Sequence, residues 1–328
     1  MPQGPVEQLQ AHLGADMEAV NTLIAARMAS EHAPRIPQVT AHLVGAGGKR
    51  LRPLLTLATA RMCGFDGDHH IRLAATVEFI HTATLLHDDV VDESTQRRGR
   101  PTANLLWDNQ SSVLVGDYLF ARSFQLMVET GSIDVLDILS NAAATIAEGE
   151  VLQLSVAQNL DTTEQVYETV IRGKTAALFA AATKVGGVIA GASQAHVTAL
   201  ERYGDALGMA FQIVDDLLDY GGLSQNLGKN IGDDFRERKM SLPLILAVNR
   251  ADAKERDFWV RTIEKGDQRS GDLEQALDLM DRHDTLAQTR DRALVQADLA
   301  KAQMAILPAS DVRDILIDLA DFVVSRVV

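Results

Sequence analysis

Asp88-Asp89-Val90-Val91-Asp92 and Asp215-Asp216-Leu217-Leu218-Asp219 repeat one pattern in two distant parts of the chain. Each places its first and last carboxylates four residues apart, and on an α-helix that spacing puts both on one face. Apolar sequence runs into each, Thr84-Leu85-Leu86 ahead of the first and Phe211-Gln212-Ile213-Val214 ahead of the second. Carboxylates drawn into such surroundings need a cation beside them. One segment alone reads equally as a solvated helix face. Two copies with apolar flanks read as ligand sets. Facing each other, they would form a cage of oxygens for divalent metal, a donor set that suits Mg²⁺ shared with the phosphates of a substrate.

Basic groups lie near these segments in sequence. Gly47-Gly48-Lys49-Arg50-Leu51-Arg52-Pro53 is not a Walker loop: no glycine stands five residues before Gly48, and Arg50 replaces the Ser/Thr after the lysine. Cations at a glycine break just before a helix N-terminus suit a diphosphate, although the turn by itself also reads as a solvated basic loop. Arg97-Arg98-Gly99-Arg100 follows the first triplet closely. It either balances Asp92 and Glu93 or joins metal in holding pyrophosphate oxygens. Lys174-Thr175, Gln212, Lys229 and Lys239 are unremarkable singly, but Lys229 and Lys239 lie in a glycine-bearing loop, with Gly228-Lys229-Asn230-Ile231-Gly232-Asp233-Asp234, that could close over a site as a lid. Glu78 and His81 spell Glu-x-x-His, the pattern of di-iron bundles; those need two such pairs, and no second is present. His69 and His70 read as surface residues at a helix start, and Cys63, the sole cysteine, as a small buried residue.

The elements that must position these groups are helices. The chain has 328 residues, 46% of them hydrophobic, with only 8 prolines, and helical periodicity dominates. One amphipathic helix covers about 5–30 and a short one ends at Ala41–Val44. Further helices are predicted over 53–63, 69–93, 112–130, 133–158, 163–191 and 195–221, a polar loop over 224–239, and a helix opening at Pro243. The tail, 252–326, reads as three or four amphipathic helices, and no run alternates like a strand. With no linker or tandem repeat, residues 1–328 read as one all-α domain. The net charge of −14 argues against nucleic acid as a partner. A single cysteine excludes an internal disulfide framework. No apolar stretch is long enough to span a bilayer and the start does not resemble a secretory signal, so the expected location is cytoplasmic.

These motifs together resemble the trans-isoprenyl diphosphate synthases, or polyprenyl synthetases. The resemblance rests on Gly-Gly-Lys-Arg-Leu-Arg-Pro, Leu-Leu-His-Asp-Asp-Val-Val-Asp with Arg-Arg-Gly, Gly116-Asp117-Tyr118-Leu119, Glu148-Gly149-Glu150, Lys174-Thr175-Ala176, Phe-Gln-Ile-Val-Asp-Asp-Leu-Leu-Asp and Gly-Lys-Asn-Ile-Gly-Asp-Asp, in that order. It implies an antiparallel helical bundle around a large central cavity, the isoprenoid synthase fold. It also implies that Lys49, Arg52, His81 and Arg98 bind isopentenyl diphosphate. Asp88, Asp92, Asp215 and Asp219 would hold Mg²⁺ against an allylic diphosphate, supported by Asp89 and Asp216. About three Mg²⁺ per site are implied. Arg97, Lys174, Lys229 and Lys239 would neutralise the same leaving group, and Thr175 and Gln212 would line the reaction centre. The chemistry implied is ionisation, condensation and elimination, repeated. A homodimer is implied too. Release of a greasy product is compatible with transient contact with a membrane surface, which no residue pattern identifies.

Product length depends on the tunnel implied beneath the first triplet. The residue five before that triplet is Ala83, which helix rise puts about 7.5 Å along the axis from Asp88. Small side chains at Ala83 and Thr84 leave the tunnel open, as in the synthases that make octaprenyl to decaprenyl diphosphate for quinone side chains. Ser123, Phe124 and Met127 are candidates for the deeper wall or floor, and equally for ordinary core. The alternatives are a shorter-chain synthase, a non-catalytic partner subunit of a heteromeric synthase, and a terpene cyclase. Partner subunits typically lose aspartates, and cyclases lack the Lys49, Arg52 and His81 set.

Overall fold

The computed structural model describes residues 4–45, 48–97, 99–221 and 231–327. The all-α expectation holds. The first helices are α1 (Pro5–His12), α2 (Gly14–Met28), α3 (Arg35–Gly45), α4 (Leu51–Met62) and α5 (His69–Val91). A two-residue antiparallel pair follows, β1 (Gln96–Arg97) with β2 (Arg100–Pro101). Then come α6 (Ala103–Leu106), α7 (Asn109–Glu129), α8 (Ile133–Val156), α9 (Glu164–Ile171), α10 (Ala177–Ile189) and α11 (Gln194–Tyr220). The remainder is α12 (Asp233–Arg236), α13 (Leu242–Arg250), α14 (Ala253–Trp259), α15 (Asp272–Arg282), α16 (Thr285–Gln303) and α17 (Asp311–Val324).

Local chemistry sets many of these boundaries. Asp108 accepts from the Ser111 amide and Thr163 from the Val166 amide, which satisfies first-turn donors of α7 and α9. Asp252 and Glu255 form a reciprocal capping box on α14. Pro243 lies at the start of α13, where its missing N–H costs nothing. The predicted helix over 5–30 is broken at Leu13 into α1 and α2. The predicted helix over 163–191 contains a π-turn at Arg172–Ala176. Among the described helices, none is long and apolar enough to cross a membrane.

The chain divides into two units. The first comprises Met1–Ala143, Leu178–Gly204 and Gln303–Leu319. Its core includes Leu54, Leu55, Phe79, Ile80 and Leu119, and the buried Tyr203 hydroxyl donates to the Leu316 carbonyl at 2.7 Å. In this unit α5 and α7 pack closely because Gly116 has no side chain: a Cβ there would collide with the His87 ring. His87 Nε2 lies 3.1 Å from the Val113 carbonyl, and the Ser112 hydroxyl donates to the Leu86 carbonyl at 3.0 Å. The second unit comprises Ala144–Ala177, Asp205–Ala302 and Ala320–Val328. Its core gathers Leu160, Tyr220, Phe235, Leu244, Trp259 and Met280.

Two expectations are corrected in the first unit. His70 is fully buried, not at the surface, with Nε2 3.0 Å from Asp16 Oδ2 and its ring edge-on to Phe65. Arg61 takes both oxygens of the same Asp16 at 2.8 Å, which holds that carboxyl below its ordinary range, while burial holds the His70 imidazolium back. Cys63 is half-buried rather than core, because it caps the end of α4 instead of lying within it.

Candidate active site

In the first unit, the triplet Asp88-Asp89-Asp92 occupies the C-terminal end of α5, with Asp92 as the capping residue. A helix C-terminus carries partial negative charge, so carboxylates there are electrostatically unfavourable unless cations join them. No basic residue lies in that last turn. One cation comes from the β1 strand: Arg97 reaches back so that Nε and Nη2 stand 2.9 and 2.8 Å from Asp89 Oδ1. Asp89 is wholly buried, and burial pushes its carboxyl above the usual range against the pull of Arg97. Its other oxygen, Oδ2, is buried without a hydrogen-bond partner. The hairpin is tied down as well, since the Ser94 amide and the Asn104 side chain donate to the Asp89 carbonyl.

The same unit brings Arg52, on the first turn of α4, to His81 on α5. Arg52 Nη1 lies 3.3 Å from Nε2 and 3.4 Å from Nδ1 of His81, and its guanidinium carbon sits 4.4 Å from the centre of the Phe179 ring. The flat cation is thus fixed by an aromatic face while its edge stays polar. Arg50, in the left-handed conformation, stands 3.6 Å from Glu78. Lys49 is exposed beside them. Ala83 is fully buried and Thr84 donates to the His81 carbonyl at 2.8 Å. On α7, Ser123 and Met127 are buried whereas Phe124 is 43% exposed. Arg98 and Lys229 lie outside the described residues.

In the second unit, Asp215-Asp216-Asp219 occupies the C-terminal end of α11, again with no basic residue in the last turn. Asp216 accepts from the Tyr167 hydroxyl at 2.7 Å and from the Gln212 amide at 2.8 Å. The Thr175 hydroxyl donates to Gln212 Oε1 at 2.7 Å. Burial, with Asp215 and Asp219 adding repulsion to it, pushes Asp216 up to about 6. Asp219 accepts from the backbone amides of Asp233 and Asp234 at 3.2 and 3.0 Å, and its carbonyl accepts from Gly232. Asp234 is itself pushed well up, first by loss of water and then by Asp216 and Asp219. Lys239 pairs with Glu237 at 2.7 Å.

The π-turn explains how Lys174 and Thr175 reach this cluster. Gly149 on α8 and Gly173 in the π-turn touch backbone to backbone: a Cβ on Gly149 would lie 2.6 Å from the Lys174 nitrogen. That contact puts Glu150 beside Lys174, 3.2 Å from its ammonium. Two residues here were not singled out from sequence. Tyr167 was missed because nothing near it in the chain announces its hydroxyl's partner, 49 residues away. Asp234 stood in a quoted motif without a role, and its position follows only from the cap by Asp219.

Both triplets fit a divalent cation by chemistry: hard oxygen donors crowd the negative ends of helices, and Asp89 keeps a buried oxygen without a donor. Among the described residues, no three His, Cys, Asp or Glu side chains converge as a preformed metal site. The middle carboxylate of each triplet is turned to protein donors instead.

An all-α chain with paired carboxylate triplets at helix ends and guanidinium groups alongside has the make-up of a prenyl-transferring enzyme. The chain belongs to the polyprenyl synthetase family, whose pattern matches residues 33–280. It is 44% identical over 321 residues to the octaprenyl diphosphate synthase of Escherichia coli, covering 98% of this chain and 99% of that one. Its structure is similar to that of a decaprenyl diphosphate synthase from Rhodobacter capsulatus, with a TM-score of 0.96 and 67% identity over 98% of this chain and 99% of that chain. A polyprenyl synthase from Caulobacter crescentus, complexed with calcium and isoprenyl diphosphate, gives a TM-score of 0.94 at 53% identity over 99% of both chains.

Proposed function

We propose that the whole chain acts as one polyprenyl synthetase domain that condenses isopentenyl diphosphate repeatedly onto an allylic diphosphate, such as farnesyl diphosphate. The product of this reading is a long all-trans polyprenyl diphosphate, of octaprenyl to decaprenyl length. The observation that carries the long product is Ala83: fully buried one and a half turns before Asp88, it has only a methyl group where a bulky ring would stop a growing chain. The similarity to synthases named for octaprenyl and decaprenyl products points the same way.

The allylic C–O bond ionises only if the charge of the departing diphosphate is stabilised. Asp88, Asp92, Asp215 and Asp219 are the residues that would hold Mg²⁺, which supplies Lewis acidity to that diphosphate when bound. Arg97, Lys174 and Lys239, with Lys229, neutralise the same group. Lys49, Arg52, His81 and Arg98 hold the diphosphate of isopentenyl diphosphate intact. Once the C–O bond has broken, the double bond of isopentenyl diphosphate attacks the allylic cation, and one proton then leaves to the released diphosphate. Thr175 and Gln212 flank the cation, and apolar residues keep water from it. The exposed face of α7, with Leu114, Phe124 and Val128, supports a homodimer, which sedimentation analysis would detect.

The test is incubation of the purified chain with labelled isopentenyl diphosphate, farnesyl diphosphate and Mg²⁺, followed by mass analysis. Octaprenyl to decaprenyl products are expected, and Ala83→Phe is expected to stop growth at farnesyl to geranylgeranyl length. Unchanged length in the variant sinks the tunnel assignment. No elongation by the chain alone points to a partner subunit.

A further inference from the structure

The second unit contains a hydrogen-bonded chain of four side chains whose direction is fixed at one end. An ionised carboxylate only accepts, so Asp216 must receive from both neighbours: the Tyr167 hydroxyl on Oδ2 and the Gln212 amide nitrogen on Oδ1. That requirement orients the Gln212 amide, leaving its oxygen toward Thr175. Thr175 has one hydroxyl hydrogen, and it is given to that oxygen at 2.7 Å. The Thr175 oxygen therefore presents only lone pairs to anything on its other side. Tyr167, Thr175 and Asp216 are all buried, at 3, 5 and 7% exposure, so water does not readily replace a missing donor.

We propose that Tyr167 is a positioning residue: its hydroxyl locks the Asp216 carboxylate, and through Gln212 it holds the Thr175 hydroxyl with its negative end available to a developing allylic cation. A preoriented dipole of this kind acts on the cation without reorganising as charge develops. Without the Tyr167 hydrogen, one oxygen of a buried carboxylate lacks a donor, the group is free to rotate, and the amide of Gln212 turns with it. The inference rests on the proposed function, because it needs a cation to act upon. Nothing in it requires Tyr167 to touch substrate.

The test compares Tyr167→Phe, Thr175→Val and the double variant in the condensation assay. Tyr167→Phe is expected to lower kcat by about tenfold or more, with KM for both diphosphates within about twofold of wild type. In the Thr175→Val background, where the end of the chain is already gone, the same change should cost less than about a further twofold. Calorimetric titration with farnesyl thiodiphosphate and Mg²⁺ should give equal affinities for wild type and Tyr167→Phe. Gln212→Met is a second probe should Tyr167→Phe fail to melt cooperatively: it should match Thr175→Val in kcat, and the two should not add. Unchanged kcat in Tyr167→Phe, a rise in KM alone, or additive losses would each overturn the inference. A wild-type chain that binds the thiodiphosphate but does not elongate removes the proposed function and this inference with it.

Discussion

Asp89 and Asp216 hold the same place in the same five-residue pattern, yet the protein restrains them by different means. Asp89 is clamped by a guanidinium, with two Arg97 nitrogens on one carboxylate oxygen. Asp216 is clamped by a phenol and a carboxamide, one on each oxygen. The middle carboxylate of the first triplet thus faces a cation, whereas that of the second faces two neutral donors, with Asp234 beside it pushed toward its neutral form. Burial raises the carboxyl in both cases; the Arg97 charge opposes that rise at Asp89, and the hydrogen bonds from Tyr167 and Gln212 oppose it at Asp216. Identical spacing therefore does not imply identical electrostatics. The first triplet is tied to the hairpin that delivers Arg97, and the second to Tyr167 and Gln212.

The comparison can be broken most directly at the outer aspartates. Asp88→Ala and Asp219→Ala should each lower turnover by at least ~10²-fold at saturating Mg²⁺, measured by isopentenyl incorporation. Near-normal rates in either would remove that triplet from metal binding. The two variants should then part in hydrogen exchange: Asp219→Ala accelerates exchange at the Asp233 and Asp234 amides that it caps, and Asp88→Ala does not. At the middle positions, Arg97→Ala leaves a buried carboxylate without its charge partner and should destabilise the metal-free chain by about 3 kcal/mol in denaturant melts. Tyr167→Phe removes one neutral donor and should cost about 1 kcal/mol. Equal losses would erase the distinction between charged and neutral restraint.

The smallest expected effect lies in pH. Asp216 has a folded pKa of about 6 against an ordinary 3.8, so between those values the native chain holds a proton that the unfolded chain has released. Its penalty is complete above pH 6, fades as pH falls through that range, and is gone below the ordinary value. Relative to Asp216→Asn, the wild-type melting temperature should therefore rise as pH is lowered from neutrality. The same comparison for Asp89→Asn should give a shallower slope, because Arg97 opposes the shift. A steeper slope at Asp89 would reverse the ranking of the two sites.

The long helices carrying the triplets were legible in the sequence because periodicity and composition are local. Predicted 69–93 and 195–221 became His69–Val91 and Gln194–Tyr220. What was not legible depends on partners remote in the chain. His70 looks like a surface residue until Asp16 and Arg61, from α2 and α4, are seen closing over it. The short hairpin that presents Arg97 has too few residues to show alternation. The aspartate triplets stand out by their spacing, and Thr175 and Gln212 entered only through the family resemblance; hydrogen-bond direction is legible in neither. Thr175, Gln212 and Asp216 are three helix-borne side chains in sequence, and only the structure shows that Tyr167 orders them.

The π-turn at Arg172–Ala176 sets a limit on how this chain can vary in length. A π-turn accommodates one residue more than the α-helical path it replaces, so it shifts the helical phase of everything beyond it. Deleting one residue there ahead of Thr175 would restore a regular helical path and turn Thr175 by about 100° relative to α9. Tyr167 lies before that point and Thr175 within it, so a chain shortened by one residue could not keep both pointed at the same Asp216–Gln212 pair. The loop between α8 and α9 can gain or lose residues at little cost by comparison. Length changes in this half of the molecule are therefore confined to its turns, and the residue count from Tyr167 to Thr175 is as constrained as their identities.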